Sequence, residues 1–181
     1  MSIGSRIHET AVIGSPPEQR DWTSGCEMVP PMVGLHVRIS AYVTVDAGRE
    51  RATVIGDRSF LMAGCHVGHD ALIGAGCEIA PKAVIGGFAV LEDYVRVGIG
   101  AMILPRKTIG RGARIGAGAV VTKDVPAGEV WVGNPSRPLY RATGERLTPL
   151  EEEGWEQFAE ASPFDGYADY ADWFDRRGRT A

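Results

Sequence analysis

The sequence predicts an all-β protein, a parallel β-helix wound from six-residue repeats. Three observations carry that prediction. Steps of six from Ile55 meet Ile55, Leu61, Val67, Ile73, Ile79, Ile85, Leu91, Val97, Ile103, Ile109, Ile115 and Val121, all aliphatic, although Ile, Leu and Val make up only about one residue in five. Four positions after each of them stands Ser59, Cys65, Ala71, Cys77, Ala83, Ala89, Val95, Ala101, Lys107, Ala113, Ala119 or Val125, small or β-branched in every case but Lys107. Directly after the aliphatic residue come seven glycines: Gly56, Gly68, Gly74, Gly86, Gly98, Gly110 and Gly116. A helix period of about 3.6 cannot produce this phase, and hairpins would place turn signals about every eight to twelve residues.

Each hexad reads as a short strand and a corner. The aliphatic residue points inward and the small residue fills the narrow space beside it. The glycine and the polar residues after it relieve the corner, where positive φ is cheap only for Gly, Asn or Asp. Before the regular part, Ile7 and Ile13 begin the same pattern, and a stretch rich in Pro and polar residues departs as a loop near 15–32. Val33, Ile39 and Val45 resume it. Val45 to Ile55 is ten residues rather than six, so four extra residues bulge near Gly48, Arg49, Glu50 and Arg51. After Val125 the chain leaves through Pro126-Ala127-Gly128 and the segment Val132 to Pro138, which puts the β-helix at 1–147.

A helical extension is expected over 148–181. Thr148-Pro149-Leu150-Glu151 has a cap residue, Pro at the first helical position and an acid three after the cap. One helix should run to about Ala161 and a second from Tyr167 to about Arg177. Seven of the fourteen aromatics fall between Trp155 and Phe174 and suit packing of these helices. Ten acids against five bases over 141–181 argue against a membrane-surface helix.

Composition excludes several functions. The chain has 181 residues, 44% hydrophobic and 23% charged, with 19 basic against 23 acidic side chains. That balance gives no footprint for nucleic acid. No apolar run approaches the roughly 18–20 residues of a membrane span, and no targeting signal opens the sequence. Cys26, Cys65 and Cys77 form no CxxC and suit neither a disulfide framework nor a zinc knuckle, so a reducing, cytoplasmic compartment is expected. Cys65 and Cys77 occupy inward phases, which suits them poorly to act as nucleophiles.

The chemistry concentrates in His66-Val67-Gly68-His69-Asp70. Imidazole, with a pKa near 6.5, is poised to take a proton from a hydroxyl or amine at neutral pH. A following Asp can fix the tautomer and stabilise the imidazolium. Neighbours on a flat strand point to opposite faces, so this pair needs the corner geometry that Gly68 permits.

The repeats resemble the left-handed hexapeptide-repeat acyltransferases, in which three hexads make one triangular coil. By that resemblance 55–126 is four coils, stacked at about 4.8 Å. The stretch from Ile39 through Gly87, bulge included, is similar to the UDP-N-acetylglucosamine O-acyltransferases of lipid A synthesis. Their H-x-x-H-D motif matches His66, His69 and Asp70, and nucleotide-sugar N-acetyltransferases keep a similar H-D pair. The resemblance implies His69 as general base, Asp70 as its orienting acid and His66 as a substrate contact. It implies Gly87, one lap after His69, as the backbone donor to the acyl carbonyl. Phe88 beside it, with Arg49 and Arg51 on the bulge, completes the expected substrate-binding set.

Val120 to Pro126 and Gly133-Asn134-Pro135 resemble the exit of acetyl-CoA-dependent members. There Asn134 and the basic residues Arg106, Lys107, Lys123 and Arg137, with Arg111 and Arg114, would meet CoA phosphates. Phe88 and Leu104-Pro105 depart from the lipid A enzyme, which has His and His-Gln there, and argue against its long-chain substrate. The expected co-substrate is therefore acyl-CoA, with acyl carrier protein second, and no tightly bound cofactor. The expected assembly is a homotrimer with sites in the clefts between prisms, and the acceptor a sugar or nucleotide-sugar. Two rivals stand beside this reading. A γ-class carbonic anhydrase shares the architecture but needs three His ligands, and the His66/His69 spacing does not supply them. A non-enzymatic trimeric assembly module would have the same fold but no use for the H-D pair.

Overall fold

The computed structural model describes residues 4–17 and 27–141. Within them the chain forms nineteen strands of two to five residues and no helix. The hexads set this directly, because an aliphatic inward residue every six positions leaves room for one strand pair and one corner per repeat. Successive strands fall on three different sheets in turn, giving stacks of eight, six and five strands. The result is a left-handed parallel β-helix of about six turns.

One sheet stacks Phe60–Leu61, Glu78–Ile79, Arg96–Val97 and Arg114–Ile115 in parallel register, each strand eighteen residues from the next. A second stacks Thr44–Asp46, His66–Val67, Val84–Ile85, Met102–Ile103 and Val120–Val121. The third stacks Met32–Val33, Val54–Ile55, Leu72–Ile73, Val90–Leu91 and Thr108–Ile109. All twelve aliphatic residues of the six-step series are buried, each at 3% exposure or less. Every such side chain contributes about 1.5–3 kcal/mol through burial. Cys65, Ala71, Cys77, Ala83, Ala89 and Ala101 are buried beside them, and the exceptional Lys107 is half-buried.

The glycines act differently from the expectation. None of the seven that follow the aliphatic residues has positive φ. They are small because the next coil passes directly over them. A Cβ on Gly56 would stand 2.5 Å from the Gly74 carbonyl carbon, one on Gly86 2.6 Å from Pro105 N, and one on Gly98 2.5 Å from Ala117 N. Positive φ falls two residues later in the hexad, at Gly64, Gly76, Gly100, Gly112 and Gly118, and at Arg58, Asp70, Lys82, Phe88, Tyr94 and Arg106. The corner that holds His69 is therefore made by Asp70, at φ 60°, and not by Gly68.

The ends are less regular. Val12–Ser15 pairs with Thr44–Asp46 through a register shift. The coil resumes at Met32–Val33, and Val29 and Gly48, before it and in the insertion after Thr44–Asp46, exchange backbone hydrogen bonds at 2.8 and 2.9 Å. At the far end Glu129–Val132 adds in parallel to Arg114–Ile115, and Arg137–Arg141 returns antiparallel to it. That reversal ends the ladder. Cys26 and the expected helices from Thr148 onward lie outside the described residues. Among the described residues no helix is long and apolar enough to cross a membrane.

Candidate active site

His69 and Asp70 sit on the corner that follows His66–Val67. The left-handed conformation of Asp70 turns its side chain back toward its neighbour, and His69 Nδ1 lies 2.7 Å from Asp70 Oδ2. Asp70 is fully buried, yet its carboxylate is well supplied with donors. The backbone N–H of Arg49 donates to Oδ2 at 3.0 Å, and those of Glu50 and Arg51 donate to Oδ1 at 2.8 Å each. Asp70 N–H donates to Thr53 Oγ1 at 2.9 Å, and Arg51 Nε donates to the Asp70 carbonyl at 2.9 Å. Burial alone would push this carboxyl up. The N–H of Arg51, the His69 ring and the N–H groups of Arg49 and Glu50 outweigh it and hold Asp70 below the usual carboxylate range. An ionised Asp70 only accepts, so Nδ1 of His69 carries a proton toward it.

Nε2 faces the coil above. A Cβ built on Gly87 would lie 2.5 Å from His69 Nε2, 2.8 Å from Cε1 and 3.0 Å from Cδ2, so the imidazole occupies the room that glycine leaves. The imidazole and the Gly87 backbone thus border one space. Gly87 O accepts from Arg106 N–H at 3.0 Å, while its own N–H makes no hydrogen bond among the described residues. The same hexad phase at another corner is satisfied by carboxylates: Leu35 N–H donates to Asp57, Ala75 N–H to Asp93 and Arg111 N–H to Glu92. One lap above Gly87 stands Pro105, which carries no side-chain acceptor for that amide.

Phe88 closes one side. Its ring meets His69 edge-on at 5.2 Å between centroids and 88° between planes. The Arg106 guanidinium packs over Phe88 at 4.2 Å and that of Arg51 at 5.8 Å. The structure therefore places Arg106 in register above Phe88, whose ring meets His69. Lys107 lies half-buried on the following corner. Lys123 and Asn134 are exposed near the end of the coil, and Arg137 Nη1 donates to the Ser136 carbonyl at 2.8 Å.

His66 occupies the outward position of its strand. Its Nδ1 is 2.8 Å from Thr44 Oγ1, and its Nε2 is 3.8 Å from Asp46 Oδ2. Asp46 is buried and takes a 3.0 Å hydrogen bond from Ser15 Oγ. Sequence reasoning missed Asp46, Thr53 and the bulge amides. Thr53 had a signal, since it fills an inward small-residue phase with a polar side chain. Asp46 stands where later coils carry Gly68 and Gly86, which marks it as the odd residue of its column. Cys65 and Cys77 are buried and burial pushes both thiols up to about 12. Among the described residues no three His, Cys, Asp or Glu side chains converge as a metal site.

Residues 52–87 and 88–123 match the bacterial transferase hexapeptide (six repeats) family, which covers the His69–Asp70 corner and Gly87 together. Residues 52–123 are therefore similar to the repeats of that family. A UDP-3-O-acylglucosamine N-acyltransferase of Caulobacter sp. (strain K31) is 44% identical over 105 residues, 58% of this chain and 31% of that protein. An acyl-[acyl-carrier-protein]–UDP-N-acetylglucosamine O-acyltransferase of Gloeothece citriformis is 32% identical over 139 residues, 76% of this chain and 50% of that protein. The chain thus spans half or less of the length of these curated relatives. Among solved structures, a mutant of perosamine N-acetyltransferase from Caulobacter crescentus, in complex with CoA and GDP-perosamine, is similar with TM-score 0.62 and 27% identity. That likeness covers 76% of this chain and 57% of the neighbour.

Proposed function

We propose that this chain is an acyltransferase of the hexapeptide family, moving an acyl group, acetyl in the first place, from a CoA thioester to a sugar or nucleotide-sugar. The observation that carries the reading is that His69 Nε2 occupies the room a Cβ on Gly87 would fill. The acceptor hydroxyl or amine binds with its proton toward Nε2. As oxygen or nitrogen attacks the thioester carbon, His69 takes that proton, and the imidazolium is stabilised by Asp70 through Nδ1–H. The negative charge moves onto the carbonyl oxygen, within reach of the Gly87 N–H. Collapse of this intermediate breaks the carbon–sulfur bond, and His69 returns the proton to the leaving thiolate. No acyl-enzyme forms, in keeping with the buried, protonated state of Cys65 and Cys77.

Phe88, His66, Arg49 and Arg51 are proposed to line the acceptor side. Lys107, Lys123, Asn134 and Arg137, with Arg106, are proposed to meet the CoA phosphates. A homotrimer, working in the cytoplasm, would close each site in a cleft between prisms. Acyl carrier protein as donor is the second reading, favoured by the name of the Gloeothece relative. A thiol-release assay with acetyl-CoA and a panel of nucleotide sugars tests the proposal. His69→Ala should abolish turnover while leaving assembly mass and melting temperature unchanged. A variant that keeps most of its activity removes the base assignment.

A further inference from the structure

We infer that the four-residue insertion at 48–51, with Thr53, is a positioning element for the base: its backbone N–H groups fix the Asp70 carboxylate, and Asp70 fixes the His69 ring. This rests on the reading of His69 as general base, and it gives the insertion a task carried by its backbone N–H groups, with Arg51 Nε adding a bond to the Asp70 carbonyl. Three successive amides, Arg49, Glu50 and Arg51, point at one carboxylate, with distances of 3.0, 2.8 and 2.8 Å. Successive N–H groups aimed at one acceptor form an anion-binding concavity of the kind used for phosphates. Here the anion is supplied by the protein itself.

The surroundings are built to hold that shape. Gly48 is tied to Val29 by two backbone hydrogen bonds, and Ala47 N–H donates to Ser15 O at 2.8 Å. A Cβ on Gly48 would overlap the Arg51 carbonyl oxygen, so the turn needs glycine for space. Asp70 is further held from behind, by its N–H on Thr53 Oγ1 and its carbonyl under Arg51 Nε. A regular hexad could not do this. A regular corner points one N–H of this phase at the neighbouring coil, whereas the insertion delivers three to one residue. The carboxylate has two oxygens: the insertion occupies both, and the remaining lone pair on Oδ2 is left to His69 Nδ1–H. With Nδ1–H committed to Asp70, it is Nε2 that borders Gly87.

The test compares Glu50→Pro, which deletes one of the three N–H donors, with Glu50→Ala, which keeps it. Thr53→Val, which removes the rear acceptor at nearly constant volume, is measured in parallel. Nitrogen-15 NMR of the imidazoles reads the His69 tautomer, assigned by comparison with His69→Ala, and thiol release reads kcat and KM separately. In the wild-type protein His69 should carry its proton on Nδ1 at neutral pH, and Glu50→Ala should keep that signature. Glu50→Pro and Thr53→Val should mix the two tautomers and lower kcat by about ten- to a hundredfold with KM within about threefold. A purely structural insertion would lower the melting temperature and leave the tautomer alone. The inference is overturned if wild-type His69 carries its proton on Nε2. It is equally overturned if whichever of the two variants folds keeps both the Nδ1–H signature and wild-type kcat. Wild-type tautomers as expected, with no thiol released for any acceptor, would sink the transferase reading and leave the positioning element standing.

Discussion

Gly87→Ala isolates the placement of the base from every other feature of the site. Gly87 has no positive φ, so alanine adds no backbone strain, and the N–H is retained. What changes is space. The new methyl would lie 2.5 Å from His69 Nε2 where ordinary contact begins at 3.4 Å, so the ring must retreat by about 1 Å. His69 is anchored through Nδ1 at 2.7 Å to Asp70, and a retreat of that size stretches the hydrogen bond beyond useful length. A misplacement near 1 Å costs on the order of a hundredfold in rate, or about 2.7 kcal/mol of transition-state stabilisation. The His69 side chain is only 13% exposed but borders solvent, so the ring can move outward and the fold should survive. Steady-state thiol release should therefore show kcat/KM down by about a hundredfold, with the melting temperature shifted by a few degrees at most. Activity within threefold of wild type in a folded Gly87→Ala protein would refute the shared space between base and amide.

Two further outcomes follow from the titration of buried groups. Asp70 is held below its unfolded value, which is near 3.9, so its contribution to stability is complete above that pH and is lost as pH falls through the folded value. The melting-temperature gap between wild type and Asp70→Asn should be widest near neutral pH and should close progressively below about pH 4; a gap constant down to pH 2 contradicts the clamp. Cys65 and Cys77, with thiols pushed up to about 12, should resist iodoacetamide in the native protein at pH 8 and react only in denaturant, as read by peptide mass mapping.

The core was legible because its rule is local. Whether Ile79 or Leu91 points inward depends only on its phase in the hexad, and both are buried as the phase requires. The contact between His69 and Gly87 was legible for a related reason, since a fixed lap length turns a sequence offset of eighteen into vertical stacking. The role of the glycines was misread because the sequence shows that a side chain is absent without showing which neighbour forbids it. At Gly56 and Gly98 the neighbour is the next coil, and the corner conformation belongs to Arg58 and Gly100 instead. The clamp was illegible for a stronger reason. A ten-residue interval in place of six reveals that four residues leave the prism, but backbone N–H groups have no residue identity, and nothing in Gly48-Arg49-Glu50-Arg51 says where they point. The packing of the Arg106 guanidinium over Phe88 was likewise illegible, because a charge shows no partner until the register does.

That register bears on whether the prism is an enzyme or only a spacer. Each of the three corner columns repeats a left-handed position once per lap. One column carries Tyr42, Gly64, Lys82, Gly100 and Gly118, and another Gly4, His36, Arg58, Gly76, Tyr94, Gly112 and Gly128, so glycine relieves at least two laps in each. The third carries Asp70, Phe88 and Arg106 on consecutive laps, at φ of 60°, 59° and 62°, with no glycine among them. Each such residue costs about 1–2 kcal/mol relative to a relaxed backbone, somewhat less for Asp. A column serving only as scaffold would gain stability from glycine at these positions, as the other two do. Here the three strained residues touch in sequence: Asp70 orients His69, Phe88 meets the His69 ring edge-on, and Arg106 covers Phe88. Backbone strain kept on three successive laps, all of it beside one imidazole, is what a site requires and an inert prism does not.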